Sequence, residues 1–286
     1  MREIADFRIA ERHARSFLDP EDGQVLGPLG GDTRKLVLET HDIRYAKVGR
    51  IHREFRKQGR FFVLGWSLRR TYTKKELEAA ELFQLCVRAA FEPSGDECGT
   101  EYDDSAGCPR CCFGARQLNE LRLDPGSLPR GKDIARTIAY SEIIVSSRLV
   151  EALRAQGLTG ARFHPVLRKS GRGAIEDWYQ LEVTSRPVGV APVTRFGIDP
   201  FDPDEQGEYR CPRGHVAGLS VLSELSVVRE DWDGSDLCAT KQWVGYRSRN
   251  GGAFRPYPLL LVSQKLRRLL GGLKAKGFEL EIAPLT

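Results

Sequence analysis

Residues 143–163, IIVSSRLVEALRAQGLTGARF, and residues 260–280, LLVSQKLRRLLGGLKAKGFEL, align without a gap. They share Val145/Val262, Ser146/Ser263, Arg148/Lys265, Leu149/Leu266, Leu153/Leu270 and Gly160/Gly277. Each reads as an apolar strand, a serine cap, a short amphipathic helix, a glycine turn and a second strand. In the first copy Gly157 suits the left-handed position just past the helix, with Leu158 folding back on Leu153. A second echo lies upstream of each copy: Cys108-Pro-Arg-Cys111-Cys112 and Cys211-Pro-Arg-Gly214-His215. A doubled Cys-Pro-Arg turn ahead of a doubled strand–helix–strand unit points to an internal duplication. The fold class expected is α+β, with antiparallel sheets, a central degenerate zinc ribbon and a duplicated strand–helix–strand unit.

Working outward, the chain of 286 residues has room for one large domain or two modest ones. Its 41% hydrophobic and 29% charged residues exclude wholesale disorder and a membrane bundle. No apolar run reaches the ~18–20 residues of a membrane span, and the first twenty residues lack a signal-peptide core. Together these predict a cytoplasmic protein with no membrane partner. Three regions are expected. Residues 1–92 form a basic, strand-rich segment closed by a helix. Residues 93–185 hold the first cysteine turn and the first repeat, and residues 186–286 hold the second of each. In the first region, RFFVLGWSL (residues 60–68) places Phe62, Leu64, Trp66 and Leu68 on one strand face. Thr73-Lys-Lys-Glu76 fits a capping box, and a helix after it would align Ala79, Leu82, Phe83 and Cys86.

Seven cysteines, an odd number, argue against a disulfide framework and for metal ligation. Two thiolates in a CxxC turn can both reach one ion at ~2.3 Å. Cys108 and Cys111 supply one such pair, and Cys98 is expected to add a third donor from a facing turn. A ribbon would carry a cysteine at 95, where this chain has Gly95. The fourth donor is therefore sought in Cys211 or His215, which belong to the echo of the same turn. The cofactor implied is structural Zn(2+) on a set drawn from Cys98, Cys108, Cys111, Cys211 and His215. Cys86 and Cys238 read as core residues. Asp231-Trp-Asp-Gly-Ser-Asp236 reads as a turn with solvated carboxylates. Walker, dinucleotide, GxSxG and HExxH motifs are absent, which lowers the expectation of an enzyme. A metal-assisted enzyme around Cys211 and His215 would need an open coordination position.

Between Arg44 and Lys75 there are eleven Lys or Arg against one acid, Glu54. Aromatic residues interleave them, so nucleic acid is an alternative partner, through Arg53, Arg56, Lys57 and Arg60. The competing reading puts the rings in the core and the charges in solvent.

The two cysteine turns, with the stretch DIARTIAYSEIIVSSRLVEALRAQGLTGARFHPV from Asp133, resemble the double-CXXCG-motif immunity proteins. Cys112 stands where that motif has glycine in the first turn, and Gly214-His215 replaces its cysteine and glycine in the second. The resemblance implies a non-enzymatic protein that binds and neutralises a cognate toxin in bacterial competition. Its surface would be braced by zinc.

Overall fold

A computed structural model describes residues 1–26, 32–245 and 254–286. The chain forms two compact units. The first comprises Met1–Leu77 with Asp199–Pro203, and the second comprises Glu78–Ile198 with Asp204–Thr286. Among the described residues, no helix is long and apolar enough to cross a membrane.

In the first unit, β1 (Arg2–Ala10), α1 (Glu11–Phe17), β2 (Gln24–Leu26), β3 (Thr33–Glu39), α2 (Ile43–Lys57) and β4 (Val63–Thr71) follow in order. The sheet is antiparallel, ordered β2-β3-β1-β4. Alternation on β1 buries Ala5, Phe7 and Ile9 against Leu36, Leu38, Val48, Phe55 and Phe62. The expected face of β4 holds for Phe62, Trp66 and Leu68, which join this core. Leu64 instead is 57% exposed. A bulge causes this. Arg8 pairs with Gly65 and Ile9 with Val63, so Leu64 is extra to the ladder and Val63 turns inward.

The capping box at Thr73 forms. Glu76 Oε2 accepts from the Thr73 amide at 2.6 Å, and Thr73 Oγ1 accepts from the Glu76 amide at 3.2 Å. The helix it opens, α3 (Lys74–Ala79), is short, and Leu82 onward is strand β5 (Leu82–Val87). Helical spacing of Ala79, Leu82, Phe83 and Cys86 is overridden because β5 finds a hydrogen-bonded neighbour on both sides. That pairing places residues 78–92 with the second unit.

The second unit continues through short strands β6 (Ala90–Phe91), β7 (Tyr102–Asp103), β8 (Arg116–Gln117) and β9 (Arg122–Leu123). The first repeat follows: β10 (Ile134–Thr137), β11 (Ile143–Ser146), α4 (Ser147–Ala155) and β12 (Ala161–Arg168). Next come β13 (Ala174–Val183) and the small strands β14 (Phe196–Asp199), β15 (Asp202–Pro203) and β16 (Ser220–Val221). The second repeat is β17 (Leu237–Gly245), β18 (Pro256–Ser263), α5 (Gln264–Gly272) and β19 (Phe278–Ile282). One sheet is ordered β6-β10-β11-β13-β12-β9 and the other β17-β18-β5-β19.

These orders show the duplication is larger than two helical units. Strand β13 lies between β11 and β12 just as β5 lies between β18 and β19. Val145 pairs with Tyr179, and its counterpart Val262 pairs with Phe83. The register therefore equates Tyr179-Gln-Leu-Glu-Val183 with Phe83-Gln-Leu-Cys-Val87, a third sequence echo. In chain order each module runs strand, cysteine-bearing strap, two strands, helix, strand. The leading strand of each module is inserted into the sheet of the other. The halves expected at 93–185 and 186–286 thus lie in one compact unit, joined by reciprocal strand exchange.

A matched pair of aspartates locks the exchange. Asp133 Oδ1 accepts from the cap serine Ser146 at 3.0 Å, and its Oδ2 accepts from the Lys276 amide of the other module at 2.9 Å. Asp236 Oδ1 accepts from Ser263 at 2.7 Å, and its Oδ2 accepts from the Thr159 amide at 3.1 Å. Each serine also caps its helix, by accepting from the Leu149 and Leu266 amides. Asp236 is thus a buried structural carboxylate, not a solvated turn residue. Gly160 and Gly277 complete the locks. A Cβ on either would lie 2.0 Å from a carbonyl oxygen, of Leu237 or Ile134 respectively. The helix stop predicted at Gly157 is present: φ is +59°, and the Leu158 amide donates to the Leu153 carbonyl at 3.1 Å.

Candidate metal centre

Each module projects its cysteine turn from the strap ahead of its Asp-led strand. Asp133 follows Cys108 by 25 residues and Asp236 follows Cys211 by 25 residues. In the first turn the Cys108 carbonyl accepts from the amides of Cys111 and Cys112, and the Cys108 amide donates to the Phe113 carbonyl. Cys112 has φ +57°, the left-handed conformation that favours glycine. In the second turn the Cys211 carbonyl accepts from the Gly214 amide, the Cys211 amide donates to the His215 carbonyl, and Gly214 has φ +82°. The second turn is one residue shorter. Gly214 matches Cys112, His215 matches Phe113, and nothing matches Cys111.

The two turns face each other. The ligand atoms of Cys108, Cys111, Cys211 and His215 all lie within 4.8 Å of one another. Cys108 Sγ is 3.7 Å from Cys211 Sγ, and Cys111 Sγ is 3.4 Å from His215 Nδ1. A tetrahedral ion with bonds of ~2.3 Å to sulfur and ~2.0–2.1 Å to nitrogen needs edges of about 3.8 and 3.5 Å. The residues present therefore fit a four-coordinate metal. The three cysteines are buried, and Ala217 packs with them. Phe113 stacks on the His215 ring at 4.3 Å and contacts Trp243 at 5.2 Å, which fixes the imidazole plane. Burial raises the Cys111 thiol to about 12. Burial also acts to raise Cys108, but the Arg110 amide and the Cys211 and Cys111 thiols outweigh it, so Cys108 is lowered. The cluster thus contains one thiol prone to ionise beside one that resists.

Sequence spacing brings Cys211 and His215 in together, as two donors and not as alternatives. The structure does not bring Cys98 to this group. Cys98 closes a 3₁₀ turn, Asp96–Cys98, and is buried where the Asp124 amide donates to its sulfur. Gly95, at the position of the missing ribbon cysteine, donates its amide to Glu142 Oε1 at 3.0 Å. A Cβ there would meet that oxygen at 2.5 Å, so the turn serves Glu142 and not an ion. Cys238 is a core residue, and burial pushes its thiol up to about 12. Cys86, on β5, is half-buried.

In the basic window of the first unit, Phe55 and Phe62 belong to the core, and Phe61 is 55% exposed. Arg60 lies over Phe55 and Arg56 over Phe61. Lys57 pairs with Glu54 at 2.8 Å, while Arg53 is exposed. Most rings that would stack on bases are therefore occupied internally.

Glu142 is a site residue that no sequence motif marks. It is buried and accepts from Tyr102 Oη, Thr137 Oγ1 and the Gly95 amide. Burial holds its carboxyl above the usual range despite these donors. Comparison with family models and with curated proteins found no match to this chain.

Proposed function

We propose that this chain is a non-catalytic cytosolic interaction protein of the immunity type, binding and neutralising a toxin with a surface braced by one structural zinc ion. The convergence of Cys108, Cys111, Cys211 and His215 supports it most directly. Three thiolates and an imidazole form a soft, tetrahedral set suited to zinc. All four positions are filled by protein, so bound zinc would act as a cross-link between the two straps. Free cysteines throughout agree with a reducing compartment. The strand exchange and the cross-link together would hold the straps rigid, which lowers the ordering cost of docking a partner. The resemblance of the turns and of the Asp133 stretch to double-CXXCG-motif immunity proteins supplies the role.

The test is affinity purification of the tagged, full-length protein from its native cells, with metal analysis of wild type, Cys108→Ser and His215→Ala. The expected result is one zinc per chain in wild type, loss of zinc in both variants, and a protein partner whose toxicity the wild type suppresses on co-expression. Recovery of nucleic acid without a protein partner would overturn the reading in favour of the basic window.

A further inference from the structure

A cleft of about 550 Å³ opens in the second unit, lined from both modules. Gln84 and Gln180, counterparts on the exchanged strands, both line it. Its charged lining is arginine and one carboxyl. Arg136 lies over the Tyr257 ring at 5.5 Å, and its N–H groups reach only neutral acceptors, nearest Ser141 Oγ at 3.2 Å. Arg255 lies over Tyr140 at 4.8 Å and Tyr102 at 5.5 Å. The two arginines meet at one corner, because the Arg255 amide donates to the Ala139 carbonyl in the turn that follows Arg136.

A guanidinium stacked flat on a ring is pre-organised and presents its N–H edge, the geometry that grips carboxylate or phosphate. Among the described residues, Arg136 has no carboxylate partner, and Arg255 Nε is buried without an acceptor. Arg255 pairs with Asp104, and Arg88, also in the lining, pairs with Glu279 at 2.9 Å. The remaining acid, Glu142, is spent on Tyr102, Thr137 and Gly95, and burial favours its neutral form. The volume is that of a small-molecule site.

We propose that this cleft binds a small oxyanion-bearing molecule, a phosphate ester or a carboxylate, held by the N–H edges of Arg136 and Arg255. The site does not depend on the partner's being a toxin. Calorimetric titration of the purified, zinc-loaded chain tests it, with AMP, adenosine and citrate at constant ionic strength. Trp243 lines the same cleft and gives a second readout by fluorescence. Saturable binding of AMP but not adenosine or citrate identifies a phosphate ester. Saturable binding of citrate but not AMP identifies a carboxylate, and binding of both without adenosine identifies the shared oxyanion chemistry. In each case Arg136→Gln should weaken binding at least tenfold with zinc content unchanged, while Arg172→Gln, on an exposed loop, leaves it unaltered. Failure of AMP and citrate to give saturable heat or a Trp243 response in wild type overturns the proposal. So does binding of adenosine as tight as AMP, or undiminished binding by a folded Arg136→Gln. Because wild type alone can refute it, misfolding of the variant does not rescue it.

Discussion

Replacing Asp236 by alanine should selectively loosen the second unit. The carboxylate accepts from Ser263 Oγ at 2.7 Å, from the Thr159 amide at 3.1 Å, and more weakly from Thr159 Oγ1 at 3.3 Å. The residue is only 7% exposed, so solvent does little to replace these bonds. Hydrogen bonds to a charged group contribute roughly 1.5–3 kcal/mol each. Counting the two shorter bonds and allowing some recovery by entering water, the loss is about 3 kcal/mol. For a unit of roughly 200 residues this corresponds to a fall of about 6–12 °C in midpoint. Trp178, Trp232 and Trp243 lie in this unit and Trp66 in the other, so fluorescence-detected thermal and urea unfolding of Asp236→Ala can follow it. Asp133→Ala should behave alike, because the same contacts recur at the other end of the exchange. A cost below about 1 kcal/mol for both variants would refute the idea that these carboxylates lock the modules together.

Other outcomes follow from the same geometry. Zinc removal by a chelator should destabilise the second unit and leave the first unchanged, and Cys98→Ser should retain the metal that Cys108→Ser loses; metal analysis beside circular dichroism checks both. Gly277→Ala should cost about 2 kcal/mol or more, since it forces a side chain into φ +110° and against the Ile134 carbonyl; Gly271→Ala, which meets nothing within 4 Å, should be near neutral by the same denaturation assay. Burial acts to raise Asp133, but Arg148, the Lys276 amide and Ser146 outweigh it, so its folded value lies below the unfolded one. Its stabilising contribution is therefore complete above pH ~4 and lost as pH falls through the lower folded value. Asp133→Asn should flatten the acid limb of stability against pH.

The parts legible in sequence were those set by short-range rules. Ser146 and Ser263 as caps, Gly157 as helix stop and the Thr73 capping box each depend on a few adjacent residues. The Cys-Pro-Arg echo led to the right pairing of turns because both copies sit at the same distance from an Asp-led strand. Cys98 misled because spacing cannot tell a ribbon knuckle from a turn closed on Glu142 Oε1. The FQLCV and YQLEV echo went unnoticed because five residues are short, and because β5 owes its existence to β18 and β19, more than 160 residues away. Leu64 followed the alternation on paper, but a single extra residue in the ladder shifted the face. The arginine-lined cleft left no signal, since its walls are assembled from separated segments.

Strand β5 is made early, yet its neighbours β18 and β19 are among the last residues to be synthesised. At ~5–20 residues per second, translation from Val87 to Ile282 takes on the order of 10–40 s. Throughout that time Leu82, Phe83 and Leu85 belong to a nascent chain lacking both edges they will fill. Maturation of this protein is thus bound to the completion of its own message, and a prematurely truncated product would carry a bare, sticky strand for quality control to recognise.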